Sequence, residues 1–357
     1  MDLNRIFLKG ACPTSIGGQA IMEGIMMRGP KRTAIAIRLP NGKIHMKTQP
    51  TPQGSKWGRI PLIRGVINFV ASLVYGTKVL MYSADVLEAN YPEEYEKDKF
   101  DIWVEEKLGK EKAWNILMVL SVVLALVMSV GIFMLLPTVV VGWVAHLTES
   151  VLVLNLIEGL ARILIFVLYI WLISMMKDIK TVFQYHGAEH KTIHCFENNL
   201  ELTPENAQSF YTLHPRCGTS FMVFVMLIAV LVHAFMGWPN VWLRIITRIL
   251  VLPVIAGLSY ELLKWAGRSD NWLVKLLSLP GIYLQKLTTK EPTLDQLEVA
   301  IAAVKAVLND GDDVPYFEGI CDTEGKAVSG ESEIYNPAVS DGPIKKEEKE
   351  EKNESAT

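Results

Sequence analysis

Residues 114–136 read WNILMVLSVVLALVMSVGIFMLL, a run of 23 residues that contains no charged side chain. An α-helix needs about 20 mainly apolar residues to cross the hydrocarbon core of a bilayer. Three further stretches have comparable length and hydropathy, at 152–176, 219–238 and 242–265. The sequence therefore predicts a mainly α-helical, polytopic membrane helix bundle with about four spans.

Two other apolar segments differ from these spans in being amphipathic. Within 62–87 the best apolar run, 65–77, has only thirteen residues between Arg64 and Lys78. That run is too short to cross a bilayer, so we expect a helix that lies at the interface or is partly buried. Residues 272–287 are interrupted by a Pro-Gly pair, and we expect them to lie on the membrane surface.

Lysine and arginine are distributed unequally among the segments that connect the predicted spans. The connections 137–151 and 239–241 contain neither residue, whereas 177–218 and the segments before the first span and after the last contain several. Basic residues concentrate on the cytoplasmic side of membrane proteins. We therefore predict a multi-pass protein of the inner (cytoplasmic) membrane, in contact with lipid, with both termini and 177–218 in the cytoplasm.

The regions outside the spans have distinct compositions. Asn41-Gly42 separates two strand-like runs, which is a strong signal for a β-hairpin. Thr293 and Gln296 form a capping-box pattern at the start of a helix whose apolar residues lie on one face. The chain is thus divided into a Gly-rich and β-hairpin region (1–60), an amphipathic helix and charged linker (61–112), a membrane domain (113–290), a C-terminal helix (291–309) and an acidic tail (310–357).

The acidic tail and the overall composition exclude some classes of protein. Residues 310–357 carry fourteen Asp and Glu against five Lys. Because this segment also has few large apolar side chains, we predict that it is disordered. The net charge of −3 gives no indication of a nucleic-acid partner. A signal peptide is not expected in residues 1–20. The four cysteines are therefore not expected to form a disulfide framework.

Most of the side chains suited to chemistry lie between the second and third predicted spans. His186, His190 and His194 are spaced i, i+4, i+8, so on a helix they share one face, and Glu189 lies near it. Two imidazoles one turn apart can bind one divalent metal. A neighbouring carboxylate can act as a ligand or as a general base.

A second motif, HPRC at 214–217, precedes the third span and adds an imidazole and a thiol. Together with Cys195, the region offers N, S and O donors that suit zinc first and other divalent transition metals next. His186, His190 and His214 are the first-choice ligands, with His194, Cys195 and Cys217 as further candidates. A closed Cys/His site would be structural, whereas an open three-ligand site would be catalytic. Cys195 as a nucleophile is a weaker alternative.

Charged residues also occur inside the predicted spans. Asn155, Glu158 and Arg162 share a face of the second span, and Arg244 and Arg248 share a face of the fourth. Ionisable groups in lipid are costly unless they are paired, so these should face the interior of the bundle. We favour a structural salt bridge from Glu158 to Arg162 or Arg248 over a polar path for a substrate.

Two single ionisable residues in the spans have simpler interpretations. His233 is most simply a hydrogen-bonded core residue. Glu261 could complete the metal site, although a surface position beside Lys264 is the favoured interpretation.

Four motifs occur in one order: GGQAIMEGIMMRGP at 17–30, YHGAEHKTIH at 185–194, HPRCGTSF at 214–221 and LTTKEP at 287–292. In these residues the chain resembles the YqhQ-like family of bacterial membrane proteins, over about 10–308. The resemblance implies a predicted metal-dependent enzyme without an established reaction.

The leading hypothesis is a hydrolase that uses zinc, with Glu189 as general base. The alternatives are a non-enzymatic assembly or scaffold factor with a structural metal, and a transporter that uses the charged stripe in the second and fourth spans.

Overall fold

The computed structural model describes residues 14–52, 58, 60–90, 103–104, 106–107, 109–237, 240–266, 271–309, 311 and 314–334. The strands are β1 (Gly17–Ile21), β2 (Gly24–Arg28), β3 (Arg32–Arg38), β4 (Ile44–Pro50), β5 (Phe317–Cys321) and β6 (Ala327–Ile334). The helices are α1 (Ile63–Asn90), α2 (Lys110–Val130), α3 (Leu136–Val144), α4 (Val151–Ile173), α5 (Lys177–Glu197), α6 (Pro204–Gln208), α7 (Gly218–Ala234), α8 (Val241–Ala266), α9 (Trp272–Thr288) and α10 (Leu294–Leu308). The chain is mainly helical, as predicted.

The strands form one antiparallel sheet in the order β1-β2-β3-β4-β5-β6. The predicted hairpin is confirmed as β3 and β4, and Gly42 in its turn has a φ of 79°, which favours glycine. Residues 317–334 do not follow the prediction of a disordered tail, because they form β5 and β6. They are stabilised by pairing with the edge of β4 and by burial of Phe317 and Cys321. The tail from residue 335 lies outside the described residues.

Helix α10 covers one face of the sheet with a row of small side chains. Its buried face includes Ala300, Ala303 and Val307. The helix can approach the sheet closely because Gly29, between β2 and β3, has no side chain. A Cβ at Gly29 would lie 2.4 Å from Cγ1 of Val307. The predicted capping box of this helix is confirmed. The sheet, α10 and α5 thus share one buried core.

Four helical stretches are long and apolar enough to cross a membrane: Ile63–Asn90, Val119–Trp143, Val151–Ile173 and Trp242–Trp265. The chain is therefore a membrane protein with a helix bundle and an N-terminal sheet, as predicted. Helix α7, predicted as the third span, has 17 residues and falls short of that length criterion.

The first span is longer than predicted. A π-helical turn, Gly131–Leu135, joins α2 to α3, so the helical stretch continues past residue 136 to Val144. Pro137 lies just after this turn, and a proline cannot donate the usual i to i−4 hydrogen bond. The π turn accommodates that loss without ending the helix.

Helix α1 meets the length criterion, but its contacts place much of it beside the sheet. Val79, Val86 and Leu87 pack in a core cluster with sheet residues, and Tyr82 contacts His45 with 2.7 Å between Oη and Nε2. At the other end of α1, a Cβ at Gly65 would lie 2.9 Å from the Cα of Gly257 in α8. The length and hydropathy of Ile63–Asn90 contradict the prediction that this segment is too short to cross a bilayer, and the contacts show that part of it packs on the sheet.

Candidate metal centre

The segment predicted to carry the site is a 21-residue helix, α5, that packs against β1, β2 and α10. The side chains from Tyr185 to Cys195 are almost all buried. Mean hydropathy does not explain this burial, because the helix contains three histidines, a glutamate and a lysine in that stretch. Each of these polar groups must therefore find a partner inside the protein.

His186 and His190 are each anchored through Nδ1 by a main-chain carbonyl. Nδ1 of His186 lies 2.8 Å from the oxygen of Thr288, and Nδ1 of His190 lies 2.5 Å from the oxygen of Thr212. A carbonyl oxygen can only accept a hydrogen bond, so Nδ1 carries the proton in both rings. In the neutral ring Nε2 therefore bears the lone pair, which is the tautomer that a metal-binding imidazole requires.

The thiol of Cys217 lies close to the imidazoles of His186 and His190. Its Sγ lies 3.2 Å from Nε2 of His186, and the ligand atoms of His186, His190 and Cys217 all lie within 4.8 Å of one another. Burial raises the pKa of Cys217, but His190 and His186 lower it by more, so that it falls well below the usual range. Burial lowers the pKa of His186, and Cys217 raises it by more, to about 9. The thiol is thus held as a thiolate, the form that binds metals.

Glu189 lies on the same helix and is 7% exposed. Its Oε1 accepts a hydrogen bond of 2.8 Å from the main-chain N–H of Gly18 in β1. Burial raises the pKa of Glu189, although His186 and His190 act in the opposite direction. A Cβ at Gly18 would lie 2.7 Å from the oxygen of Met26, so only glycine fits at this contact.

His214, a first-choice ligand in the sequence analysis, lies in a second layer. Its Nδ1 accepts a hydrogen bond from the main-chain N–H of Arg216, and its Nε2 lies 3.7 Å from Oε2 of Glu197. Burial lowers the pKa of His214 to about 3, so the ring is neutral. His194 is also engaged, because its Nε2 lies 2.9 Å from the oxygen of Leu213. Neither ring belongs to the group of converging ligand atoms.

Cys195 and Glu261 also lie away from this group. Sγ of Cys195 lies 3.4 Å from the oxygen of Glu201, and burial raises the pKa of the thiol to about 11. The helical spacing could have shown this, since nine residues place Cys195 on the opposite face of α5 from His186. Glu261 pairs with Arg64 of α1 instead of completing the site.

The comparisons with known proteins give the family. A family model described as "Protein of unknown function (DUF1385)" matches residues 60–310. The chain belongs to this DUF1385 family. The Bacillus subtilis (strain 168) "Uncharacterized protein YqhQ" is 36% identical over 310 residues, which cover 84% of this chain and 94% of that protein. No solved structure matches the chain.

The DUF1385 region contains the three converging ligands, whereas Gly18 precedes it. Sequence reasoning missed the atoms that anchor the site because they belong to the main chain: the carbonyls of Thr212 and Thr288 and the N–H of Gly18. It also missed Gln285, whose amide bonds both the N–H and the carbonyl of His214. The only signal was the position of Gly18 and Thr288 within the family motifs.

The residues present fit a divalent transition metal. Among the described residues, Nε2 of His190 is buried and has no hydrogen-bond partner. Two imidazoles and a thiolate fit the ligand preferences of zinc, and a bound cation would displace the proton that His186 shares with Cys217. A bound cation would satisfy all three atoms at once.

Proposed function

We propose that this DUF1385 protein is a metal-dependent hydrolase whose zinc ion is held by His186, His190 and Cys217, with Glu189 as general base. The observation that carries the proposal is the shared point reached by two Nε2 atoms and one Sγ, while both Nδ1 atoms are anchored by carbonyls. Anchored imidazoles of this kind are typical of metal sites because the second hydrogen bond fixes the ring.

The number of ligands favours a catalytic site. His214 and Cys195 are engaged elsewhere, so three protein ligands remain and a fourth position is open. When bound, a zinc ion in such a site acts as a Lewis acid and lowers the pKa of a water molecule. His186 and Cys217 are only partly buried, which gives a substrate a direction of approach.

Glu189 has the properties of a general base that does not bind the metal. Its carboxylate lies outside the converging ligand set, and Gly18 orients one of its oxygens. Burial raises its pKa above the usual range of a carboxyl, which makes it a stronger base towards a water molecule. The second oxygen can take a proton from a water molecule and return it to a leaving group.

A structural metal site is the second candidate, and the deep burial of His190 and Glu189 favours it. Glu189→Gln separates the two, because it keeps the size of the side chain and removes the base. Under the catalytic proposal this variant retains zinc, measured by elemental analysis, but fails to rescue the phenotype of a deletion strain. Glu201→Gln, at an exposed position, is the matched control. Full rescue by Glu189→Gln would contradict the catalytic proposal and favour a structural metal site.

We also propose that the site and both chain termini are cytoplasmic. The pairing of β4 with β5 supports an even number of crossings between residues 50 and 317, because both strands lie in one sheet. Counting α2 with α3, α4, α7 and α8 as spans, and α1 as interfacial, gives four. At about 26 Å, α7 is slightly short for a ~30 Å core.

Cysteine labelling tests this topology. In a background without the native cysteines, His146→Cys and Asn240→Cys should react with a membrane-impermeant maleimide in intact cells. Leu200→Cys, which is on the sheet side, should react only after the membrane is opened. Reversed labelling would place the metal centre outside the cell.

A further inference from the structure

The thiol of Cys217 reaches the candidate metal centre from a short turn that precedes α7. The main-chain N–H of Cys217 donates to the carbonyl of His214 (3.4 Å), which closes the turn His214–Cys217. Pro215 occupies the second position of this turn, where its fixed φ is favourable. The position of the thiol therefore depends on what holds His214, the first residue of the turn.

Gln285 of α9 holds His214 by both of its main-chain groups. Oε1 of Gln285 accepts a hydrogen bond from the N–H of His214 (2.8 Å), and Nε2 of Gln285 donates to the carbonyl of His214 (2.9 Å). A carbonyl oxygen has two lone pairs, so it can serve the amide and the turn together. Two hydrogen bonds to one residue fix both its position and its orientation.

The burial of Gln285 indicates that this pairing is specific. Its side chain is 0% exposed, and a buried amide is costly unless its polar atoms have partners. In the described part of the chain, both ends of the amide are paired with His214. The glutamine is thus stabilised in the interior by the same two hydrogen bonds that hold the turn.

The helix that carries Gln285 also supports a second ligand. Thr288 lies one turn later on α9, and its carbonyl accepts the hydrogen bond from Nδ1 of His186 (2.8 Å). Nε2 of His186 and Sγ of Cys217 lie 3.2 Å apart. The last turn of α9 therefore contacts the supports of two of the three converging ligands.

Helix α9 is itself packed closely against α7. A Cβ at Gly281 would lie 3.0 Å from the Cα of Ser220, so a larger residue would separate the two helices. Gln285 follows Gly281 by four residues and lies on the same face of α9. Close packing one turn away limits how far the amide can move from the turn.

We infer that Gln285 is a positioning residue of the metal centre, which holds the turn His214–Cys217 so that Sγ of Cys217 stays within reach of the metal. The inference rests on the metal site proposed above and adds a residue that does not bind the metal. A ligand that is already in place loses less conformational freedom when the metal binds. Groups that orient ligands in this way change metal affinity by about 10–100-fold.

A second contact keeps the turn attached to α5 when Gln285 is changed. The carboxylate of Glu197 accepts hydrogen bonds from Nη2 of Arg216 (2.6 Å) and from the N–H of Thr14 (2.9 Å). Loss of the Gln285 amide should therefore shift the turn without releasing it. The expected effect is on the position of the thiolate, which a metal with a thiolate-sensitive spectrum can report.

The test measures metal binding by the full-length protein purified in detergent. The Kd for zinc is obtained by competition with a chromogenic chelator. Co²⁺ is then bound in place of zinc, and the thiolate-to-cobalt charge-transfer band reports contact between the metal and Cys217. Gln285→Met keeps the length of the side chain and removes both hydrogen bonds. It should raise the Kd for zinc at least about tenfold and reduce the band per bound Co²⁺.

Two further variants complete the test. Gln49→Met is the matched control, because it removes the hydrogen bond of a glutamine to Tyr75 (2.5 Å) between the sheet and α1. It should leave the Kd and the band unchanged. Gln285→Glu keeps an acceptor for the N–H of His214 and loses the donor. It should weaken zinc binding less than Gln285→Met, and it decides the matter if that variant does not fold.

The results separate this inference from the metal centre itself. A wild-type protein that binds neither zinc nor Co²⁺ would overturn the metal centre and the role of Gln285 with it. If the wild type binds both metals and the Gln285 variants retain its Kd and its band, the metal centre stands and the inference is wrong. Equal weakening by Gln49→Met, or weaker zinc binding with an unchanged band, would also contradict a role in positioning Cys217.

Discussion

The two buried polar clusters of this chain leave opposite kinds of atom unsatisfied. At the candidate metal centre, main-chain carbonyls accept hydrogen bonds from Nδ1 of His186 and His190, and Nε2 of His190 is left without a partner close to the thiolate of Cys217. In the membrane cluster, which consists of Thr138, Glu158, Arg162, His233 and Arg248, the carboxylate of Glu158 accepts several hydrogen bonds, and N–H groups at Arg162 and His233 remain without an acceptor. Lone pairs favour a cation, whereas the membrane cluster already contains a counter-charge in Glu158.

The difference shows that residue type alone does not define a site. Histidine occurs in both clusters, and the partner of Nδ1 decides its role. A carbonyl at Nδ1 leaves His190 as a potential ligand, whereas a guanidinium at Nδ1 leaves His233 as a donor. The partner, and with it the ligand chemistry, is determined by the fold.

The largest effect is expected at the metal centre. His190→Ala removes one of the three proposed ligands and should abolish stoichiometric zinc binding, because two ligands form an incomplete chelate. His194→Ala, on the same helix but outside the converging group, should keep its metal. Both are measured by elemental analysis of purified protein. Equal zinc content in the two variants would contradict the assignment of ligands.

In the membrane cluster, Glu158→Gln should cost about 3–5 kcal/mol of unfolding free energy, because buried guanidiniums lose their counter-charge. Denaturation in mixed micelles measures the change. Glu261→Gln removes a partly exposed partner of Arg64 and should cost clearly less. If the two losses were equal, the membrane cluster would not be a desolvated ion network.

The features predicted correctly from the sequence are those that local spacing determines. The periodicity of α5 placed His186 and His190 together, and the face shared by Glu158 and Arg162 indicated their salt bridge. The spacing along α5 also places Cys195 on the opposite face, but the position of Cys217 depends on how α7 meets α5, which local spacing does not encode.

The strands β5 and β6 could not be predicted because their stability comes from a distant partner. Their sequences, FEGIC and AVSGESEI, have too few apolar residues to indicate strands. They are ordered by pairing with β4, more than 260 residues earlier in the chain. The same limitation applies to the carbonyl anchors of the metal centre, since a main-chain atom has no signature in the sequence.

Thiol reactivity should distinguish the metal centre from the rest of the described chain. The pKa of Cys217 is well below the usual range because His190 and His186 outweigh the effect of burial, whereas burial raises those of Cys195 and Cys321 to about 11 and about 12. In metal-free Cys12→Ser protein at pH 7, iodoacetamide should therefore modify Cys217 first, as followed by mass spectrometry. Added zinc should protect it. Faster modification of Cys195 would contradict the thiolate assignment.

The smallest effect concerns His45, a histidine that belongs to neither cluster. Burial lowers its pKa below 6.5, while Glu318 raises it and Lys47 lowers it further. The hydroxyl of Tyr82 donates to Glu318, so Nε2 of His45 donates to the Tyr82 oxygen. His45 is partly buried, and the hydrogen bond at its Nε2 is made within the protein.

His45 should therefore affect stability only through protonation. Because its pKa is lower in the folded state than in the unfolded state, its contribution is complete above pH 6.5 and is lost as the pH falls from 6.5 towards the folded-state value. His45→Gln keeps a donor for Tyr82 and does not titrate. Hydrogen exchange of β4 amides, compared between pH 7.5 and 5.5, should show a greater loss of protection in the wild type than in this variant. Zinc content should not change. Identical pH dependence in the two proteins would mean that the folded sheet tolerates a charged ring at this position, which would contradict the lowered pKa of His45.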